Sequence, residues 1–187
     1  MEDREPPTPR RITLLEQREI EARIVAPLID AVREELGEER TVALLRRVIE
    51  GLARDSGAEL ARSGAAGGLL DFARTLDRWT EGGALELQVL EQSADRLDFN
   101  VTRCRYAEMY HRLGLDPLGA SLSCCRDAAL ASGFDPEIEL SRSQTILEGA
   151  PFCDFRFRRR SGAESAPDRD GTPPPPEPCN SEEGAEP

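Results

Sequence analysis

The chain has 187 residues, enough for one domain with a core and too few for two ordinary ones; 39% are hydrophobic and 32% charged. The formal net charge is -12, and every basic residue is an arginine, which argues against a nucleic-acid partner because phosphate contacts need basic residues concentrated on one face. No run of about 18 apolar residues occurs and the first residues lack the apolar core of a signal peptide, so neither a transmembrane helix nor a membrane partner is expected, and the location is expected to be cytoplasmic. Five cysteines without an export signal read as reduced thiols rather than a disulfide framework.

Residues 1–11 are charged, carry prolines and lack periodicity, and are expected to be mobile. From Ile12 to Leu36 the apolar positions Ile20, Ile24, Val25, Leu28, Ile29, Val32 and Leu36 recur at steps of three and four, the pattern of one helical stripe. Pro27 inside it predicts a kink or two consecutive helices, and Gly37 a stop. A second helix is expected over Glu39 to Arg62, burying Val42, Leu45, Val48, Ile49 and Leu52 and closed by Gly64. A third spans Leu69 to Thr80, with Trp79 at core spacing; a ligand platform is its alternative role.

Period two then replaces the helical period. Leu85, Leu87 and Val89, then Leu97, Phe99 and Val101, alternate with polar residues as in half-buried strands, with Ser93 to Arg96 as the turn. Short helices are expected over Arg105 to Leu113 and Pro117 to Ser132, the second capped by Asp116 and ended by Gly133. Further strands are expected over Glu137 to Ser141, continuing through Gln144 to Glu148, and over Phe152 to Arg158. The fold class is therefore α+β: N-terminal helices, then a β-β-α-α-β-β run forming an antiparallel sheet with helices packed on one face, one domain over residues 12–159. Residues 160–187 hold seven prolines and seven acids against two arginines, a composition that cannot bury enough apolar surface to order itself, so a disordered acidic tail is expected.

Chemistry concentrates between Asp98 and Arg158. Cys104 ends a predicted strand, Cys124 and Cys125 lie mid-helix, and Cys153 begins the last strand; three thiols converge if the helix packs on the sheet. Each cysteine is also a natural core residue. A zinc site lacks any Cys-x-x-Cys spacing, so no metal is expected, and nothing calls for a cofactor. Cys124 and Asp127 share a helix face at a spacing of three, whereas Cys153 and Asp154 point to opposite sides of a strand, where Asp154 aligns with Arg156 as a salt-bridged exposed face. His111 reads as a surface or capping residue. No protease signature supports a Cys-His-Asp triad, and residues 64–68 lack the ending of a phosphate loop.

The pattern FxVxxCxYAEMYxxLG over Phe99 to Gly114, CxxD over Cys124 to Asp127, the segment Thr145 to Gly149, and CDFRF over Cys153 to Phe157 together resemble the L-2-amino-thiazoline-4-carboxylic acid hydrolase family. The resemblance covers the C-terminal half of the folded part. It implies a hydrolase acting on the carbon–nitrogen bonds of a cyclic amidine, attacking the amidine carbon to give a carbamoyl-cysteine-type product, with a small-molecule substrate as its partner. Under it, Cys104 or Cys124 is the expected nucleophile or thiol acid/base, and Asp127 orients the amidinium or a water. Tyr106 donates a hydrogen bond, Cys153 and Asp154 line the pocket, and Arg156 holds the substrate carboxylate. The rival from another class is a non-catalytic small-ligand-binding or sensory domain.

Overall fold

The computed structural model describes residues 11–63 and 67–160; the expected acidic tail, most of the N-terminal segment and Gly64 lie outside them. Helix α1 (Leu14–Leu36) starts at a capping box, in which Thr13 accepts from the Glu16 N–H at 3.2 Å and Glu16 accepts from the Thr13 N–H at 2.9 Å. One helix runs through Pro27 rather than two. Pro27 and Arg23, whose carbonyl the proline leaves without its intrahelical donor, are both exposed, so water can take that acceptor. Gly37, at φ +80°, ends α1 with its N–H on the Arg33 carbonyl and opens α2 (Glu38–Arg62).

The buried faces of these two helices share Ile29, Leu45 and Ile49 with the expected stripes and otherwise differ from them. In α1 they are Ala22, Ala26 and Ile29, while Ile20, Ile24 and Leu28 stand half exposed or more; in α2 they are Thr41, Leu45, Ile49, Ala53 and Gly57, while Val48 and Leu52 are exposed. Small residues win because the partners approach closely. A Cβ on Gly57 would stand 2.1 Å from the Leu130 carbonyl oxygen, and one on Gly133 2.1 Å from that of Arg54, so α2 and α6 (Arg126–Phe134) cross backbone to backbone. Gly133 is therefore a crossing residue inside α6 and not its terminator; the helix runs on to Phe134.

Helix α3 (Leu69–Thr80) lays Leu69, Phe72, Leu76 and Trp79 on the sheet. The sheet is antiparallel in the order β1-β2-β4-β3, from β1 (Leu85–Gln92), β2 (Arg96–Cys104), β3 (Ile138–Ser141) and β4 (Cys153–Arg159). Pairing of Leu97 with Phe157, Phe99 with Phe155 and Val101 with Cys153 sets one apolar face, where Phe99 and Phe155 stack at 4.9 Å and Phe72 meets Phe157 at 5.1 Å. The opposite face carries Asp98, whose carboxylate accepts from Nη1 and Nη2 of Arg158. Between β2 and β3 lie α4 (Arg105–Arg112), the single turn α5 (Asp116–Gly119), a π-helical turn (Ala120–Cys124) and α6. Asp116 falls inside α5 and bonds His111 at 3.0 Å instead of capping. The expected continuation of the third strand is absent: Thr145 caps a 3-10 turn, Ile146–Glu148, accepting from the Glu148 N–H at 3.2 Å.

The α2–α6 crossing has no room for a methyl group. Gly57→Ala and Gly133→Ala are each expected to lower the unfolding free energy by about 2 kcal/mol or more, read as a lower urea midpoint. Gly51→Ala, on the same helix but with open space around it, is expected to leave the midpoint unchanged or raise it slightly.

Candidate active site

Cys104 closes β2 with an extended backbone (φ -129°, ψ 104°) that turns straight into α4, and its sulfur accepts from the Ala107 N–H at 3.4 Å. The thiol thus stands as the N-cap of α4. Tyr106 follows in the first turn, its hydroxyl donating to the Trp79 carbonyl at 3.4 Å. Cys153 opens β4 on the apolar sheet face opposite Val101, where its sulfur accepts from the Ile146 N–H at 3.2 Å.

The third thiol arrives from a helix with an extra residue in one turn. The Cys125 N–H bonds the Ala120 carbonyl at 3.1 Å, five residues back; wide turns of this kind recur at functional sites because they re-aim side chains. Cys124 faces the cavity, and Cys125 is buried outside its lining. One turn on, the Asp127 carboxylate accepts from Arg142 at 2.6 Å. Arg142 also donates to the Cys124 carbonyl at 3.1 Å and lies 4.9 Å over the Phe155 ring, so one guanidinium ties the segment after β3 to the π turn, to α6 and to the sheet.

These groups line a partly open cavity of about 90 Å³. Cys104, Cys124, Cys153, Tyr106 and Asp127 all line it, so the conditional convergence of three thiols is met. Asp154 and Arg156 are not brought to it. The period-two alternation of β4 turns both to the other face: Asp154 accepts from the Ser143 and Gln144 N–H groups, and Arg156 donates to the Phe99 carbonyl and to Asn100. Trp79 belongs to the core, as its spacing predicts, and one side of it also lines the cavity. His111 lies exposed on the surface. Among the described residues no group of three or more His, Cys, Asp or Glu is placed to hold a metal ion, and no helix is long and apolar enough to cross a membrane.

Burial controls the titration of the site. It pushes the Cys104 thiol up to about 11, against the opposing bond from the Ala107 N–H. Burial likewise raises Cys124, with the Asp127 charge as a second cause, and raises Cys153 and the Tyr106 phenol. The Asp127 carboxyl is also raised by burial, with Arg142 pulling the other way. All three thiols are therefore protonated at neutral pH.

The arginines of the cavity were not anticipated. Arg18, Arg126 and Arg142 line it beside Asp127. Arg126 lies within the Cys124–Asp127 motif, which is a local hint. Arg18 and Arg142 lie far from it along the chain, and only tertiary contact brings them in.

No curated protein matches the chain. Solved structures similar to it include the phenol-responsive sensory domain of the transcription activator PoxR with phenol, 18% identical, covering 80% of this chain and 77% of that chain at a TM-score of 0.48. Another is a trafficking protein particle complex subunit 3 from Naegleria fowleri covalently bound to palmitic acid, 12% identical, covering 78% of this chain and 96% of that chain at a TM-score of 0.48. The sequence model of the L-2-amino-thiazoline-4-carboxylic acid hydrolases matches residues 17–157, from the first turn of α1 almost to the end of β4, and the chain belongs to that family.

Proposed function

We propose that the protein is a hydrolase that opens a 2-aminothiazoline-4-carboxylate-like ring by attack at the amidine carbon. The observation that carries this reading is the meeting of three thiols and an arginine-held carboxylate around one small cavity. At about 90 Å³ it has room for roughly six to nine water-sized atoms, which suits one small substituted ring.

The ring carbon between the two nitrogens and the sulfur is the electrophile. An amidine is protonated in neutral water, and Asp127, the only carboxylate lining the cavity among the described residues, is the group to hold that amidinium. In the covalent route, Cys104 or Cys124 adds to the carbon as its proton passes to Asp127, and the ring sulfur departs as a thiol with that proton. Water then adds, the enzyme thiol leaves, and the carbon keeps both nitrogens as a urea. Net, one water is consumed, one carbon–sulfur bond breaks and a carbamoyl-cysteine forms, a departure from the carbon–nitrogen cleavage that the family resemblance implies. Exchange of one thiol for another at carbon trades bonds of the same kind, so the first step runs close to level. In the alternative route Asp127 directs water to the carbon and a cysteine protonates the departing sulfur. Tyr106 and Cys153 line the same space and complete the pocket.

One observation favours a second reading. Burial leaves no thiol ionised at neutral pH, which suits a domain that binds a small ligand without turning it over. Incubation with 2-aminothiazoline-4-carboxylate and mass detection of the ring-opened product separates the two readings; a thermal shift without product favours the binder. In the same assay Cys104→Ser and Cys124→Ser are expected to lower turnover in at least one case by on the order of 100- to 10,000-fold. Unchanged turnover in both removes the thiol route.

The raised thiol pKa makes a second prediction. Because desolvation disfavours the thiolate, alkylation of Cys104 by iodoacetamide is expected to be slow at pH 7 and to climb about tenfold per pH unit toward about 11. Peptide mass analysis of pH-stepped labelling reads this directly, and a midpoint near 8 is the contrary result.

A further inference from the structure

Arg18 and Arg126 each line two spaces at once: the cysteine cavity, and an open groove of about 360 Å³ between α1 and α2 floored by Ala22, Val25, Ile49 and Leu52. Both side chains are largely withdrawn from solvent, at 15% and 14% exposed. Among the described residues the groove contributes one carboxylate, Glu21, whose Oε2 takes the Arg18 Nη1–H at 2.5 Å and lies 3.5 Å from Arg126 Nη2. Arg126 is fixed from behind by its Nε–H bond to the Leu122 carbonyl at 2.8 Å. On the cavity side the nearest carboxylate, Asp127, is taken by Arg142. The wall between the two spaces thus carries two guanidinium groups largely withdrawn from solvent and one carboxylate, and that carboxylate stands on the groove side. The Arg126 guanidinium is correspondingly depressed, by burial first and by Arg18 second.

We propose that Arg18 and Arg126 form the carboxylate-binding subsite of the cysteine cavity, and that Glu21 holds their places from the groove until a substrate carboxylate arrives. The proposal rests on the hydrolase reading for its substrate class, a small ring bearing one carboxylate beside the reactive carbon. Two planar donor forks side by side match the two oxygens of a carboxylate. Each guanidinium carries five N–H donors, and the contacts to Glu21 and Leu122 use a minority of them. A zwitterionic ligand then spans the cavity, its anion at Arg18 and Arg126 and its amidinium at Asp127. Glu21, at 38% exposed, can swing into the groove when displaced. A neutral analogue gains nothing from the arginines and leaves Glu21 in place, so the subsite also selects against it.

The test uses binding, so it does not depend on turnover. Titration calorimetry on the full chain compares 2-oxothiazolidine-4-carboxylate, which keeps the ring and the carboxylate but lacks the amidine, with its 4-carboxamide. The carboxylate is expected to bind on the order of 100-fold more tightly. Arg18→Gln and Arg126→Gln are each expected to erase most of that preference, with Arg126→Lys restoring part of it. Glu21→Gln, which keeps shape and removes the competing charge, is expected to tighten carboxylate binding severalfold and to leave the carboxamide unchanged. Failure of the carboxylate to bind the wild-type protein, equal binding of the two compounds, or a preference that survives both arginine substitutions overturns the proposal. A carboxylate preference in a protein that never opens the aminothiazoline ring sinks the hydrolase reading and leaves the subsite standing.

Discussion

The backbone contact of α2 with α6 at Gly57 and Gly133 is the constraint on which the site depends. Side chains at either position would push the helices apart, and α6 is held between α2 on one side and the sheet on the other, with Ala131 fully buried against the sheet. Asp127 sits in the first turn of that helix and Cys124 in the π turn that leads into it, so the distance from α2 to α6 sets how far these groups stand from Cys104 on β2 and Cys153 on β4. The π turn performs the local adjustment, and the small residues of the crossing perform the global one. Arg142 then locks the result, because it contacts the carboxylate, the π turn and the sheet together.

Charge in the cavity is arranged in opposition. Three arginines and one aspartate line it, and Glu21 offsets part of the excess only from the outer side. In a region withdrawn from water such an imbalance is costly unless an anion completes it. This is why the arginines matter as much as the thiols. A neutral apolar ligand would fill the space without relieving the imbalance, whereas a ligand with one anionic and one cationic end relieves it at Arg18 and Arg126 while meeting Asp127 at the other side. The Arg142 charge by itself favours a thiolate at Cys124, and the thiols are raised all the same because burial outweighs it.

How much of this was legible in the sequence depends on the kind of contact. The alternation of Leu97, Phe99 and Val101 and of Cys153, Phe155 and Phe157 is a local code, and it specified both the sheet and the face on which Cys153 lies. The same code placed Asp154 and Arg156 on the other face, so the family resemblance alone had put Arg156 on the substrate. The helical stripes of α1 and α2 locate the buried Ile29, Leu45 and Ile49 but not the small residues beside them, because close approach selects Ala22, Ala26, Ala53 and Gly57. Gly133 looked like a helix stop for the same reason: a glycine near a helix end and a glycine under another backbone are one letter. Arg18 meets Arg126 across more than a hundred residues, and no period or spacing records such a contact.

Burial works against each ionised group in the cavity taken alone and less against the pair. A thiolate at Cys104 or Cys124 is disfavoured because a charge has entered a low-dielectric space, and an ionised Asp127 is disfavoured for the same cause. Passing a proton from a thiol to Asp127 moves one negative charge from oxygen to sulfur without changing the total. The desolvation cost therefore largely cancels, and the barrier is set by the difference between the two groups rather than by the absolute pKa of either. A thiol that is inert toward bulk solvent can still be the acid partner of a carboxylate one turn away. On the hydrolase reading an amidinium bound beside the site sharpens this, because it offers a cation to whichever of the two holds the negative charge. On the hydrolase reading, slow alkylation of the free thiols by external reagents and proton transfer within the cavity are two expected outcomes of one arrangement.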